Sequence, residues 1–192
     1  MTKKIFNNEY ELITPGTMGR DFGKKDMVFC IIYCAEGRQY ENYDYFLNSP
    51  DPKQRAKANL KVPTVLTISR QDGKRGFVGG NVEPYHNTLV EALKQELEEE
   101  INLVNIDESR LELFLTYAND KRHITTYIYR VSYEELLEID RNSIFAKHRY
   151  SEVCGVDLMQ LHYLSIPNLE QTVFSGTGKN ELLAFIEKEN IK

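Results

Sequence analysis

A glycine-rich strand end followed by an acid-laden amphipathic helix constrains this chain more than any other feature. Gly76-Phe-Val-Gly-Gly80 places three glycines in five residues. That density demands unusual dihedrals or close approach of the backbone to something else. The helix reads from Thr88 to Ile101. Thr88 and Glu91 make a T-x-x-E capping box. Leu89, Leu93, Leu97 and Ile101 recur every four residues and give one apolar face. Asn102 stops the helix in a left-handed conformation.

Strands to receive that face are spread along the chain. Met27 to Ala35 is rich in Val, Ile, Phe and Tyr and reads as a buried strand. Val62 to Arg70 reads as a second, with Pro63 at its start, where a missing N–H is tolerated. Gln71 to Lys74 is a turn. Leu111 to Ala118 and Ile124 to Val131 alternate as an antiparallel pair around the polar turn Asn119–His123. Ser132 to Glu135 caps a short helix through Ile139, and Glu152 to Leu158 is a further strand. Asn180 to Lys188 reads as an amphipathic helix with Leu182, Leu183, Phe185 and Ile186 inward. Arg38 to Lys61 differs in character: Tyr40, Tyr43, Tyr45 and Phe46 lead into Asn48-Ser-Pro-Asp-Pro52 and then Lys53, Arg55, Lys57 and Lys61. Pro and Asp break regular structure, so this stretch is expected to be a loop, either a solvated connector or a substrate flap. The whole predicts a sheet covered by helices on both faces.

A length of 192 residues fits one domain, or at most two small ones, and 41% apolar residues suffice for one core. The longest apolar runs are far too short to span a membrane. No signal peptide is visible, so a cytosolic protein is expected, with the nucleus left open. The formal charge of −5 argues against broad, sequence-independent nucleic-acid binding. It leaves room for a nucleotide, or one RNA end, in a local basic cleft. Three cysteines give no disulfide framework and no four-ligand zinc set; buried apolar thiols are expected for Cys30, Cys34 and Cys154. His86, His123, His148 and His162 show no metal-ligand spacing. Lys24-Lys25 and Lys121-Arg122 read as solvated charge, with added positive charge around phosphates as the alternative.

The acids of the helix point to chemistry. Glu91, Glu96, Glu98, Glu99 and Glu100 stand against one base, Lys94. Glu96, Glu99 and Glu100 share one helix face, and a like-charge pair at i, i+4 costs a few tenths of a kcal/mol. Acids in the last turns also oppose the helix dipole, at roughly 0.3–1 kcal/mol each. A divalent cation would remove the penalty, and clustered carboxylate oxygens suit Mg²⁺ or Mn²⁺. A solvated acidic face is the alternative.

Gly76-Phe-Val-Gly-Gly-Asn-Val-Glu-Pro followed by Gln95-Glu-Leu-Glu-Glu-Glu-Ile-Asn-Leu103 resembles the Nudix box, G-x5-E-x7-R-E-U-x-E-E-x-G-U, with U a bulky aliphatic. Glu96, Leu97, Glu99, Glu100 and Leu103 match it, and Gly79 and Gly80 match with one extra residue before the helix. That extra residue, with Tyr133–Glu138, Ala146-Lys147, Glu152–Gly155, Phe174–Gly176 and Leu182-Leu183, resembles the small-nucleolar-RNA decapping and inosine-diphosphate hydrolase subfamily. The resemblance runs from about Lys25 to the C-terminus, interrupted at Arg38–Lys61. Three positions depart from the pattern. The family's Arg is Gln95, its first box Glu falls at His86 or Asn87, and its terminal Gly is Asn102. The Arg and Glu commonly form a supporting salt bridge. Losing both leaves no orphan charge, so neutral hydrogen bonds can replace it.

The resemblance implies an α+β fold: an α/β/α sandwich with a mixed β-sheet, formed by one domain over residues 1–192 with an insertion at 38–61. It implies hydrolysis of a diphosphate linkage in a nucleotide derivative: a purine nucleoside di- or triphosphate, ADP-ribose, a dinucleotide or an RNA 5′ cap. A non-catalytic nucleotide or RNA binder remains the alternative suggested by Gln95. By the same resemblance, Mg²⁺ or Mn²⁺ would be held by Glu96, Glu99, Glu100 and Glu152 with the carbonyl of Gly79. Glu99 is the candidate base. Arg70 would contact the nucleotide and Phe77 would lie near its base. Asp26 and Glu181 would stand where the subfamily has a His and a Gln facing the purine, as two acceptors for its N–H groups. A homodimer is expected by analogy.

Overall fold

The long central strand is apolar on both faces, and this divides the molecule into three layers. In the computed structural model, which describes residues 10–38, 47–58, 61–149, 151–161, 169 and 172–191, that strand is β2, Lys25–Arg38. It follows β1 (Glu11–Ile13) and a 3₁₀ turn at Gly19–Phe22. Then come helix α1 (Pro52–Ala58), β3 (Lys61–Arg70), β4 (Arg75–Gly76), β5 (Val78–Asn81) and helix α2 (Leu89–Ile101). The second half holds β6 (Leu111–Ala118), β7 (Arg122–Arg130), α3 (Tyr133–Asn142), β8 (Val153–Gln160) and α4 (Gly178–Lys188).

Successive residues of β2 point to opposite faces. Val28, Cys30 and Ile32 pack with Leu89, Leu93, Leu97 and Ile101 of α2 and with Leu136 and Ile139 of α3. Ile31 and Tyr33 pack with Leu182, Phe185 and Ile186 of α4. Helices thus cover both faces, as the sequence predicts. The four large apolar side chains of α2 are buried and stabilise the layer by on the order of 10 kcal/mol.

The sheet has eight strands in the order β1-β6-β7-β2-β3-β4, with β5 paired to β2 and β8 to β3. Among the strand pairs of the described residues β2 and β7 run parallel and the others antiparallel, so the sheet is mixed. β2 gives its C-terminal half to β3 and its N-terminal half, Met27–Cys30, to β5. β3 carries β4 at Ile68 and Ser69. The glycine-rich segment therefore fills a fork between β2 and β3. Gly79 has φ 143°, and a Cβ there would lie 2.1 Å from the Val28 carbonyl oxygen. No side chain fits.

Both capping boxes form, Thr88 with Glu91 and Ser132 with Glu135, and Asn102 takes the left-handed cap at φ 57°. The second helix runs on to Asn142, past Ile139. Three expectations are corrected. The Arg38–Lys61 stretch contains α1. Pro52 sits at its first position, where its lost N–H is unneeded, and the Asp51 carboxylate accepts the Lys53 N–H at 2.9 Å. The tyrosines at 40, 43 and 45, Phe46 and His162 lie outside the described residues. In α4, Leu183 is exposed, and Glu181 takes an inward position. Cys30 and Cys34 are buried in the core, whereas Cys154 is exposed on β8.

Candidate active site

The acids of α2 meet the glycine fork. The Gly79 N–H donates to Glu100 Oε2 at 2.8 Å, and Glu100 is only 3% exposed. Burial pushes the Glu100 carboxyl up to about 8; the Gly79 N–H opposes this and the Glu96 charge adds to it. Burial, followed by the charges of Glu99, Glu152 and Glu83, pushes Glu96 up to about 7. A Cβ on Gly80 would stand 2.3 Å from Glu96 Oε1, so the second glycine leaves room for that carboxylate. Glu152 is exposed at the rim, with its charge felt by both Glu96 and Glu100.

Glu99 differs from its neighbours. Lys147 donates to its Oε1 at 2.6 Å, and His148 Nε2 stands 3.7 Å from its Oε2. The Lys147 hydrogen bond, ahead of other effects, holds the Glu99 carboxyl below the ordinary range. The His148 N–H also donates to the Glu99 carbonyl at 2.8 Å, tying the loop before β8 to the helix end. Periodicity cannot reveal Lys147 and His148 as neighbours of Glu99. Their placement depends on a contact 48 residues away along the chain.

The neutral substitute for the family's salt bridge is present. His86 Nε2 lies 2.8 Å from Gln95 Oε1. The Glu83 N–H donates to His86 Nδ1 at 3.1 Å, which assigns the proton to Nε2 and makes it the donor to Gln95. Arg20 Nη1 holds the His86 carbonyl at 2.8 Å. His86, not Asn87, fills the position.

Arg70, Phe77 and Glu181 come together around one cavity of about 210 Å³, floored by Met27 and Phe29. Arg70 also lowers the Glu100 carboxyl, so it links cavity and acids. Glu181 is 1% exposed and accepts from the Thr177 hydroxyl at 2.6 Å. Burial pushes its carboxyl up to about 7, opposed by the Thr177 and Thr126 hydroxyls. Burial thus favours the protonated form, which donates as well as accepts. Asp26 is not among the residues lining the cavity. Its buried carboxylate accepts from the Gly19 and Arg20 N–H groups and faces Arg20 Nε at 3.6 Å. It serves to hold the 3₁₀ turn, a contact made by a segment that carries no periodic signal.

An all-oxygen donor set with charge held at a cost fits a hard divalent cation. Among the described residues, no group of three His, Cys, Asp or Glu side chains stands ready as a cage. Mg²⁺ commonly uses one or two carboxylates and completes its shell with water and substrate phosphate.

Comparison with known proteins places this geometry in context. A family model described as Nudt16-like, U8 snoRNA-decapping enzyme-like, matches residues 45–192. The U8 snoRNA-decapping enzyme of Xenopus laevis is 30% identical over 165 residues, 77% of this chain and 76% of that protein. The enzyme of the same name from Mus musculus is 27% identical over 159 residues, 73% of this chain and 77% of its own length. Among solved structures, the NUDIX domain of Shewanella oneidensis NrtR, complexed with ADP ribose, superposes with a TM-score of 0.54 at 13% identity. That match covers 86% of this chain and 88% of the other.

Proposed function

The chain belongs to the Nudt16-like family of Nudix hydrolases, enzymes of phosphoanhydride bonds, and from that membership we propose that it cleaves the diphosphate linkage of a purine nucleotide derivative. Capped RNA is included in that class, as the names of the Xenopus and mouse relatives favour. One observation carries the reading: Arg70 lines a cavity large enough for a base and its charge acts on the carboxyl cluster through Glu100.

Each residue then has a task. Phe29 and Phe77 offer apolar walls to the base, and Glu181 meets its polar edge with one donor and one acceptor. Arg70 receives a phosphate oxygen as the linkage approaches the acids. Glu96, Glu100, Glu99 and Glu152, with the Gly79 carbonyl, would hold Mg²⁺ or Mn²⁺. When bound, the metal supplies charge neutralisation of the diphosphate and a water of lowered pKa. Glu99 is kept ionised beside Lys147 and accepts the proton of the attacking water.

The test is product analysis with Mg²⁺ on inosine, guanosine and adenosine di- and triphosphates, ADP-ribose, dinucleotides and a capped RNA. A monophosphate product that disappears in chelator is expected. Glu99→Gln should lower turnover by about 10²–10⁴-fold with the fold intact. Folded protein that yields no product from any of these, or a variant with near-normal turnover, refutes the reading.

A further inference from the structure

Arg122 is the first residue of β7 and lines the same cavity as Arg70, on the opposite side of β2. Arg20, Arg75, Arg110 and Arg130 each face a carboxylate. Among the described residues Arg122 faces none. Among those residues its side chain has one polar contact, the Met27 sulfur, 3.7 Å from Nη1. A thioether is a weak acceptor and carries no charge. A partly buried guanidinium stays charged at any working pH and presents a planar fork of donors that matches a phosphate. Here that fork lines a cavity whose one carboxyl among the described lining residues, Glu181, is engaged by the Thr177 hydroxyl instead.

The surroundings carry the same sign. Lys25 is the register partner of Arg122, and the Lys25 N–H donates to the Lys121 carbonyl at 3.0 Å. Lys24, Lys25, Lys121 and Arg122 therefore cluster at the N-terminal ends of two parallel strands, and none of the four has an ion-pair partner among the described residues. On a chain of net charge −5 this is a local basic mouth. A base edge needs one hydrogen-bonding group and no such field, whereas a phosphate chain is drawn by the field as a whole.

Spacing fits a nucleotide lying along β7. Thr126, which acts on Glu181 at the inner end, is four residues from Arg122 on the same strand face, or about 13 Å at 3.3 Å per residue. With the base at Glu181 and the 5′ diphosphate at Arg70, the part of the nucleotide left facing the mouth is the 3′ side of the ribose.

We propose that Arg122, with the lysine cluster behind it, binds a phosphate on the 3′ side of the nucleotide held in the cavity. The site then takes a nucleotide that continues past its ribose in preference to a simple mononucleotide. This rests on the nucleotide reading of the cavity given above.

The test is calorimetric binding, in Mg²⁺, of a purine nucleoside 3′,5′-bisphosphate against the 5′-monophosphate of the same base. The wild type should bind the bisphosphate about tenfold tighter, with the gap narrowing as salt rises. Arg122→Met should close the gap by weakening the bisphosphate about tenfold more than the monophosphate, while Arg122→Lys should restore part of it. A 5′-phosphorylated dinucleotide that gains as much as the bisphosphate identifies a continuing RNA strand; a gain confined to the bisphosphate identifies a terminal phosphate. Equal affinities in the wild type, or a gap that survives Arg122→Met, overturns the proposal. Failure of both nucleotides to bind would instead bring down the nucleotide reading of the cavity, and this proposal with it.

Discussion

Replacing Glu100 by Gln should stabilise the metal-free protein while destroying its function. The native carboxyl sits at about 8 against an ordinary 4.5, chiefly because it is buried. Between those values the folded state keeps a proton that the unfolded chain releases. Stability therefore falls as pH rises through that window, since the native state binds more protons than the unfolded one. At pH 7 the proton is held about 2.5 pH units above its ordinary release, a cost of roughly 3 kcal/mol. Gln removes the ionisation and can still accept the Gly79 N–H through its amide oxygen. Its NH₂ must be housed in the same buried place, which takes back about 1 kcal/mol. The net gain is about 2 kcal/mol, or about 4–8 °C in Tm for a chain of this length. Thermal unfolding in chelator checks this at pH 7 and pH 5. At pH 5, only half a unit above the ordinary value, the ionisation cost shrinks to about 0.8 kcal/mol, the cost of housing the NH₂ offsets it, and the gain should vanish. A variant that melts at or below the wild type at pH 7, or that gains equally at both pH values, would show that burial of the Glu100 charge is not the cost described.

Two further substitutions probe the same cluster. Gly80→Ala places a methyl against Glu96 Oε1 and must displace that carboxylate, so turnover should fall about 10²-fold. Tm should stay within a few degrees of the wild type, and unchanged turnover would mean that Glu96 is not needed where it stands. Lys147→Met frees Glu99 from its ammonium, so Mn²⁺ measured by paramagnetic resonance should bind roughly two- to fivefold tighter. Lys147→Arg should return the affinity toward the wild type; tighter binding by Lys147→Arg or weaker binding by Lys147→Met contradicts the competition.

Local signals carried the parts of this molecule that are locally determined. The α2 face, both capping boxes and the Asn102 cap each depend on residues within a turn or two, so spacing reveals them. The Glu96, Glu99 and Glu100 face follows for the same reason. The replacement of an ion pair by neutral hydrogen bonds was legible because losing both charges at once leaves nothing to satisfy by charge. Long-range contacts were not legible. Asp26 looked free to face a ligand because the Gly19–Phe22 turn that consumes its oxygens has no pattern of its own. Helix α1 was hidden because Pro and Asp break helices in their interior yet start them well at their ends. Leu183 left its expected inward place because the start of α4 roofs a polar cavity with Glu181, and periodicity does not know where cavities lie. The Lys147 pair, and an Arg122 that meets no carboxylate among the described residues, are likewise products of chain crossings, visible only once the sheet is assembled.

The parallel pairing of β2 with β7 has a consequence in time. Lys25 and Arg122 sit side by side, yet they are roughly a hundred residues apart in the chain. At about 5–20 residues per second, a ribosome needs roughly 5–20 s to deliver the second strand after the first. Throughout that interval β2, apolar on both faces, has an open hydrogen-bonding edge where β7 will lie, which makes it a template for unwanted strand addition. The barrier to folding should accordingly be dominated by closure of this one long loop. Mutations that slow the arrival or docking of β7 would then lower the yield of soluble protein during synthesis while leaving the stability of the finished molecule almost untouched.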